Sequence, residues 1–266
     1  IMAKESTMPQ NSVNPVHPVE NKYVKNFAVL MGSLEINPSL LFCIFMSDKE
    51  RLSNLLFTLI TDRNHCKQPF IDTIRSALKE GVKTVQLREK GLATHELYSL
   101  ACELRKITSD FKANFIVNDR VDIALAVEAD GVHLGWQSLP FGIVRKLLGF
   151  EKLIGVSTHN RQEALQAQDN GADYITFGPV FDTPSKAGLL KPTGVEEIQK
   201  LKNEIDLPIV AVGGINGKNV ESVLKGGADG IAVISSIMQA DNPEGAAKCL
   251  FNKIITLRCI NHRNSK

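Results

Sequence analysis

Short apolar runs alternate with amphipathic segments from about residue 55 to the end of the chain. The runs are rich in Val and Ile, which favours strands, and the segments between them carry apolar residues at helical spacing. Eight runs alternate with eight helical segments, and the runs read LLFTLIT, KTVQL, NFIVN, DGVHL, LIGVS, DYITF, LPIVAV and DGIAVI. Strands that are apolar on both faces and alternate with helices indicate a parallel sheet. Eight such units in about 200 residues predict an α/β fold, the (β/α)₈ TIM barrel.

The helical segments have boundaries that can be read from the same pattern. They cover about residues 69–80, 94–109, 121–127, 139–148, 160–170, 194–203, 217–225 and 243–257. A faint repeat precedes every second strand, in EGVKTVQL, EADGVHL, NGADYITF and GGADGIAV. An open doubly wound sheet is the alternative fold, but it gives no reason for such a repeat, and no GxGxxG motif follows the first strand.

The ends of the chain differ from this pattern. We expect an N-terminal tail at 1–50, one barrel domain at 51–260 and a C-terminal tail at 261–266. The most apolar run of the N-terminal segment, SLLFCIFM, is far shorter than the roughly 20 residues that span a bilayer. No basic region leads into an apolar core with a cleavage site, so a signal peptide is not indicated. The sequence begins with Ile1, and Met46 is a candidate for the natural start.

Amino-acid composition limits the classes of protein to which the chain can belong. With 43% hydrophobic and 23% charged residues the chain is typical of a globular domain. Lys and Arg number 31 against 29 Asp and Glu, so no basic field predicts nucleic acid as a partner, and no membrane partner is expected. The five cysteines form no CxxC pair, which predicts reduced thiols, a cytoplasmic location and neither disulfides nor a structural metal. A homo-oligomer is left open.

Polar residues follow the predicted strands at the ends where barrel enzymes carry their chemistry. In chain order these residues are Gln86, Arg88, Glu89 and Lys90, then Asn118 and Asp119, His133, Ser157 and His159, the loop 178–194, Gly213 and Gly214, and Ser235 and Ser236. The loop reads GPVFDTPSKAGLLKPTG, and its prolines and glycines exclude a helix or central strand. It places Thr183 and Ser185 beside Lys186, a combination suited to binding phosphate.

Two anion sites are therefore predicted. Gly214 and Ser235 stand where barrels bind a single phosphate with backbone N–H groups. A second set has the charge for a diphosphate and consists of Arg88, Lys90, Asn118, Ser157 and Lys186. Among these cations a carboxylate is unexpected, and Asp119 is predicted to bind Mg²⁺ together with substrate phosphate oxygens.

Each feature also has a structural interpretation. Arg88 and Glu89 are compatible with a rim salt bridge, and Asn118 and Asp119 are compatible with a helix cap. A histidine such as His133 on an apolar strand is more often a hydrogen-bonded core residue than a catalyst. A loop lysine such as Lys186 is usually solvated. The combination of all these positions at one rim favours the functional interpretation.

Seven ordered motifs carry a specific resemblance. QLREK, VNDRVDIAL, ADGVHLG, GVSTHN, GADYITFGPVFDTPSKAG, PIVAVGGI and GADGIAVISSI resemble the motifs of thiamine-phosphate synthase and of its relative thiazole tautomerase over about residues 55–257. The resemblance implies a transferase that joins hydroxymethylpyrimidine diphosphate to thiazole phosphate and releases diphosphate. In that family the diphosphate leaves first, and the thiazole nitrogen captures the resulting pyrimidine methylene cation.

The same motifs imply roles for individual residues. The diphosphate and the pyrimidine would be held by Gln86, Arg88, Lys90, Asn118, Ser157 and Lys186, of which Arg88, Ser157 and Lys186 are the predicted catalytic residues. His133 is also predicted to bind substrate. Thr183, Ser185, Gly214 and Ser235 would hold the thiazole phosphate, and Asp119 would bind Mg²⁺. Trp136, the single tryptophan, is predicted to border the pyrimidine, where an aromatic face stabilises a nearby cation.

One position departs from the family pattern. The synthase motif resembles His-x-Gly-Gln-x-Asp with the last Asp as a second metal ligand, whereas this chain has Ser138 there. A tautomerase, which needs no metal, is therefore an alternative, and it would use a histidine in the loop after the sixth strand. Pro179 occupies that point and Asp119 is present, and both favour the synthase. A barrel that binds thiamine precursors without catalysis is the third hypothesis.

Overall fold

A computed structural model describes residues 49–183 and 191–264 of the chain. Eight parallel strands close into a barrel in sequence order, with β8 pairing to β1, so the predicted TIM barrel is confirmed. The strands are β1 (Phe57–Ile60), β2 (Thr84–Leu87), β3 (Asn114–Asn118), β4 (Gly131–Leu134), β5 (Leu153–Thr158), β6 (Tyr174–Phe177), β7 (Ile209–Val212) and β8 (Gly230–Val233).

Helices follow the strands around the outside of the barrel. They are α1 (Phe70–Lys79), α2 (Thr94–Asp110), α3 (Val121–Ala126), α4 (Phe141–Leu148), α5 (Arg161–Asn170), α6 (Val195–Lys202), α7 (Val220–Lys225), α8 (Ser235–Met238) and α9 (Pro243–Asn264). The α9 helix runs further than the predicted 257. The α8 helix was not predicted, because four residues are too few to show helical periodicity. In the described ranges, no helix has both the length and the apolar character needed to cross a membrane.

Two apolar layers hold the barrel together. The larger layer lies between strands and helices and includes Phe57, Leu59, Phe115 and Ile175. The smaller layer fills the barrel interior and includes Ile60 and other inward-facing residues of the strands. Side chains alternate between the two layers because successive residues of a strand point to opposite faces of the sheet.

The repeat before every second strand has a structural cause. In three of the four repeats an aspartate directly precedes the strand. It accepts a hydrogen bond from a backbone N–H of the preceding strand and pairs with a basic residue on a preceding helix, at distances of 2.6–2.8 Å. The pairs are Asp130 with Arg105, Asp173 with Arg145, and Asp229 with Lys202. Each carboxylate thus satisfies a strand end that would otherwise lack a partner.

Candidate active site

A cavity of about 1060 Å³ opens at the carboxyl ends of the strands. All of the predicted site residues that lie in the described ranges line it: Gln86, Arg88, Lys90, Asn118, Asp119, His133, Trp136, Ser157, Thr183, Gly214 and Ser235. Ser185 and Lys186 lie outside the described residues. The barrel therefore brings together residues that are up to about 150 positions apart in sequence, as expected for this fold.

Strand alternation explains why the cavity floor is polar. Gln86, Asn118, His133, Ser157 and Thr176 occupy the last inward-facing positions of five consecutive strands. The interior cluster of the barrel is mostly apolar and includes Ile60, Ile116 and Val210. A ring of hydrogen-bonding groups therefore sits above an apolar plug. Such a ring can orient a polar substrate.

Asp119 is held at the cavity wall by a chain of polar contacts. Gln86 donates its amide N–H to the Asn118 carbonyl oxygen at 3.0 Å, and the Asn118 amide donates to Asp119 Oδ2 at 2.5 Å. The other oxygen, Oδ1, accepts hydrogen bonds from the Ser138 hydroxyl and, at 3.3 Å, from the Gly135 N–H. The carboxylate is thus oriented from both sides, by β3 and by the loop after β4.

The backbone of Asp119 is also unusual. Its φ is +60°, in the left-handed region that Asp and Asn enter more readily than other residues with a Cβ. Its N–H donates to the His133 carbonyl at 3.0 Å, so the turn is fixed against β4. Because few residues with a Cβ adopt this conformation, Asp119 is a candidate functional position.

The cations come from the segment after β2. The backbone N–H of Arg88 donates a hydrogen bond to the Thr61 hydroxyl at 3.0 Å, and Arg88 lines the cavity. Glu89 accepts the Arg63 N–H through both oxygens, at 3.1 and 3.2 Å, and burial raises the pKa of its carboxyl. Among the described residues no ion pair joins Arg88 to Glu89, so the rim salt bridge considered from the sequence is not formed. The Arg88 charge is available to a ligand.

His133 combines burial with access to the cavity. Its side chain is 3% exposed, and its Nε2 lies 3.0 Å from Ser157 Oγ and 3.2 Å from Thr176 Oγ1. Burial, reinforced by Arg88 and opposed by Asp119, lowers the pKa of the imidazole to about 4. The ring is therefore neutral near pH 7 and serves as a hydrogen-bonding group, with no positive charge to offer.

The loop after β6 is fastened to β7. Val180 and Phe181 donate their N–H groups to Val212 and Gly213 carbonyls at 2.9 and 3.1 Å. A Cβ on Gly214, whose φ is +65°, would lie 2.6 Å from the Asp182 carbonyl, so glycine lets the loop come this close. This docking brings Thr183 to the cavity. The tautomerase histidine is absent from residues 178–194, where Pro179 follows a cis peptide bond.

Several contacts in and around the cavity were not predicted from the sequence. Ser138 contacts Asp119 and so joins two loops. The sequence indicated only that this serine replaces the second aspartate of the family motif. Thr176 and the buried Tyr174 both contact His133. In the sequence they belong to an ordinary strand pattern, which gives no sign of these contacts. His159 lines the cavity with Nδ1 against the Gly178 carbonyl, at 2.5 Å. Its position after β5 was the one available signal.

Comparison with known proteins is in line with this geometry. The family model described as thiamine monophosphate synthase matches residues 57–237. Thiamine-phosphate synthase of Clostridium novyi (strain NT) is 42% identical over 200 residues, which is 75% of this chain and 98% of that protein. The synthase of Syntrophomonas wolfei subsp. wolfei is 46% identical over 193 residues, 72% of this chain and 92% of that one.

A solved structure extends the likeness to three dimensions. Thiamine phosphate pyrophosphorylase from Pyrococcus furiosus has a TM-score of 0.72 and 38% sequence identity, with coverage of 77% of this chain and 98% of that chain. The matched region contains the eight strands and the cavity described above. The chain therefore belongs to the thiamine monophosphate synthase family.

Proposed function

We propose that the cavity joins hydroxymethylpyrimidine diphosphate to thiazole phosphate, giving thiamine phosphate and diphosphate. Membership of the family makes the chain a thiamine-phosphate synthase, a transferase that acts on small phosphorylated substrates. The assignment of roles to residues rests on one observation, the convergence of the described site residues on one cavity. A cytoplasmic location and the lack of nucleic-acid and membrane partners stay predictions, and a homo-oligomer stays open.

The diphosphate half of the site is the cationic side of the cavity. Arg88 and Lys90 follow β2, and Asn118 ends the neighbouring strand β3. A planar guanidinium matches two phosphate oxygens at once, and an ammonium adds a mobile point charge. Lys186, in the loop after β6, is the third cation assigned to the diphosphate. As the C–O bond to the pyrimidine methylene breaks, its electron pair moves to the diphosphate, and these groups stabilise the growing charge.

The residues around Asp119 fit a magnesium ion that is shared with the substrate. A carboxylate has about four lone-pair positions, and the Asn118, Ser138 and Gly135 contacts use three of them. In the described ranges no cluster of three or more His, Cys, Asp or Glu side chains could hold a metal alone. One carboxylate, substrate phosphate oxygens and water are nevertheless a common Mg²⁺ environment. When bound, Mg²⁺ would neutralise charge on the leaving diphosphate.

The thiazole phosphate is assigned to the part of the cavity at the ends of β7 and β8. Gly214 and Ser235 follow β7 and β8, the strands after which barrels commonly bind phosphate. Thr183 lines the same cavity from the docked loop and would add a hydroxyl. Between the two halves, the thiazole nitrogen would meet the pyrimidine methylene cation and form the C–N bond. Holding both partners in place supplies most of the advantage over reaction in water.

The assay that tests this proposal combines the purified chain with both substrates and Mg²⁺. Thiamine phosphate is then oxidised to its fluorescent derivative and measured. We expect product that depends on each substrate and on Mg²⁺, and none when thiazole phosphate is omitted. A folded chain that makes no thiamine phosphate under these conditions would refute the proposal, and conversion of the thiazole tautomer alone would identify a tautomerase.

A further inference from the structure

A tyrosine hydroxyl reaches from β6 across the barrel interior to the imidazole on β4. Tyr174 OH lies 3.2 Å from His133 Nδ1, and the two ring centroids are 5.6 Å apart. Both side chains are buried, with 3% exposed in each case. The contact skips a strand, because β5 lies between β4 and β6 in the sheet. It therefore needs a gap in the side chains of β5.

Gly155 on β5 supplies this gap. In the sheet register His133 pairs with Gly155, and Gly155 pairs with Tyr174. A Cβ on Gly155 would lie 2.1 Å from Tyr174 Cζ and 2.5 Å from the hydroxyl oxygen, far inside van der Waals contact. The tyrosine ring thus occupies the space over the glycine. The contact with His133 is built into the register of three strands.

The hydrogen bond of Tyr174 determines which nitrogen of the His133 imidazole carries the proton. A neutral imidazole has one nitrogen that donates and one that accepts. Tyr174 does not line the cavity, and among the described residues its hydroxyl has His133 Nδ1 as its hydrogen-bond partner. A proton on Nδ1 would leave the buried tyrosine hydroxyl without an acceptor, at a substantial cost. The tyrosine therefore donates to Nδ1, and the proton of the neutral ring sits on Nε2.

The protonated Nε2 then decides where the Ser157 hydroxyl points. Nε2–H donates toward Ser157 Oγ at 3.0 Å and toward Thr176 Oγ1 at 3.2 Å, so both oxygens accept. Both residues line the cavity, so their own hydroxyl protons are free to meet an acceptor that binds there. In the opposite tautomer Nε2 would accept, and it would draw the Ser157 proton away from the cavity.

We propose that Tyr174 is a positioning residue that holds His133 in the Nε2–H tautomer and so directs the Ser157 hydroxyl proton to the substrate. The kinetic part of this inference rests on the proposed function and on the predicted contact of Ser157 with the diphosphate. A donor already aimed at an oxygen that gains charge stabilises the transition state more than the bound substrate. Tyr174 would act on the reaction through two other side chains without touching the substrate.

The tautomer can be measured without any substrate. In protein labelled with ¹⁵N at histidine, long-range ¹H–¹⁵N spectra identify which ring nitrogen carries the proton, and the His133→Gln spectrum assigns the signals. We expect Nε2 protonated and Nδ1 accepting a hydrogen bond. Tyr174→Phe should shift the Nδ1 resonance, whereas Tyr98→Phe, a change on the exposed face of α2, should not. A proton on Nδ1 in the unmodified chain would overturn the proposal.

A double-mutant cycle with Ser157→Ala tests the kinetic part. Tyr174→Phe should lower kcat by about tenfold with a smaller change in KM, while Tyr98→Phe leaves both parameters unchanged. In the Ser157→Ala background, Tyr174→Phe should have no further effect, because the group through which it acts is gone. Losses that multiply in the double variant would show a merely structural role and overturn the inference.

The two experiments separate this inference from the proposed function. A chain that makes no thiamine phosphate but shows the Nε2–H tautomer, with Nδ1 sensitive to Tyr174→Phe, would refute the synthase assignment and retain the positioning of Ser157. Synthase activity together with Nδ1 protonation would do the reverse. Thermal unfolding of Tyr174→Phe, Ser157→Ala and the double variant verifies that each is folded before its kinetics are interpreted.

Discussion

Ser138 donates a hydrogen bond through its hydroxyl to the Asp119 carboxylate, which joins the loop after β4 to the end of β3. The same hydroxyl oxygen accepts the Gly135 N–H at 2.7 Å, so the serine is held in place while it orients the carboxylate. The position at which the family motif has a second carboxylate therefore carries a neutral group that supports the remaining one. This geometry favours a Mg²⁺ that arrives with the diphosphate over one held by the protein alone.

Ser138→Asp should increase the affinity for Mg²⁺ in the absence of substrate. A second carboxylate beside Asp119 adds negative charge and oxygen ligands, and we expect binding at least about tenfold tighter, or about 1.4 kcal/mol. Calorimetric titration with Mg²⁺ alone measures this. Ser99→Asp, which adds the same charge on the exposed face of α2, is the matched control. Equal Mg²⁺ affinity in the two variants would contradict a metal site at Asp119.

Asp119→Asn should abolish the Mg²⁺ dependence of substrate-analogue binding and lower turnover by about a hundredfold, the scale of a lost electrostatic contact in an active site. Asparagine adopts a φ of +60° as readily as aspartate, so the backbone should stay as it is. Asp122→Asn, which removes a surface carboxylate paired with Arg120, is the control. Turnover that keeps its normal response to Mg²⁺ in Asp119→Asn would place the metal elsewhere.

The sequence predicted the barrel because its signals are local. Runs such as NFIVN are apolar on both faces, and their alternation with helices is visible without knowing any contact. The convergence of Arg88, Asn118 and Ser157 followed from the rule that chemistry gathers at the carboxyl ends of the strands. This one rule of barrel topology was thus enough to predict most residues of the candidate site.

The features that escaped prediction depend on contacts between distant positions. The path from Tyr174 over Gly155 to His133 exists only once three strands are in register. The contact of Ser138 with Asp119 spans 19 residues and two loops. The docking of the loop after β6 on β7 uses backbone groups, which leave no mark in the residue pattern. Periodicity carries no information about such contacts.

Lys186→Ala should slow turnover by at least about tenfold, the equivalent of one lost transition-state contact of roughly 1.4 kcal/mol. The reason is chemical, because the loop lysine is assigned to the leaving diphosphate. Lys191→Ala, which removes the same charge from an exposed position in the same segment, should leave kcat within about twofold. Equal rates in the two variants would make Lys186 a solvated loop residue. Steady-state kinetics at saturating Mg²⁺ decide between them.

Stability should fall with acidity because of His133. Burial lowers the imidazole pKa from 6.5 to about 4 in the folded chain, so the unfolded chain binds one more proton between these values. The stabilisation is complete above about pH 6.5 and is lost as the pH falls toward 4, by up to ~1.4 kcal/mol per pH unit. Urea unfolding across this range should show a steeper loss in the unmodified chain than in His133→Gln. His95→Gln, an exposed position on α2, should keep the full slope. Parallel slopes for the unmodified chain and His133→Gln would contradict the lowered pKa.

Trp136 should report on the pyrimidine site. Its side chain is 89% exposed, yet it lines the cavity beside Gly135 and Ser138, in the loop that supports Asp119. Exposed indole emits at long wavelength in water, and a pyrimidine ring packed against it would shift or quench that emission. Because the chain has one tryptophan, all of its tryptophan fluorescence comes from Trp136.

The titration uses a non-reacting pyrimidine diphosphate analogue with Mg²⁺, and calorimetry on the same samples confirms that it binds. We expect the fluorescence of Trp136 to change with the same midpoint as the heat. Inorganic phosphate, which offers the charge but no ring to stack on the indole, should leave the emission unaltered. A fluorescence signal that stays flat while the analogue binds would show that Trp136 does not border the pyrimidine. The cation formed during the reaction would then depend on the diphosphate, and no indole face would stabilise it.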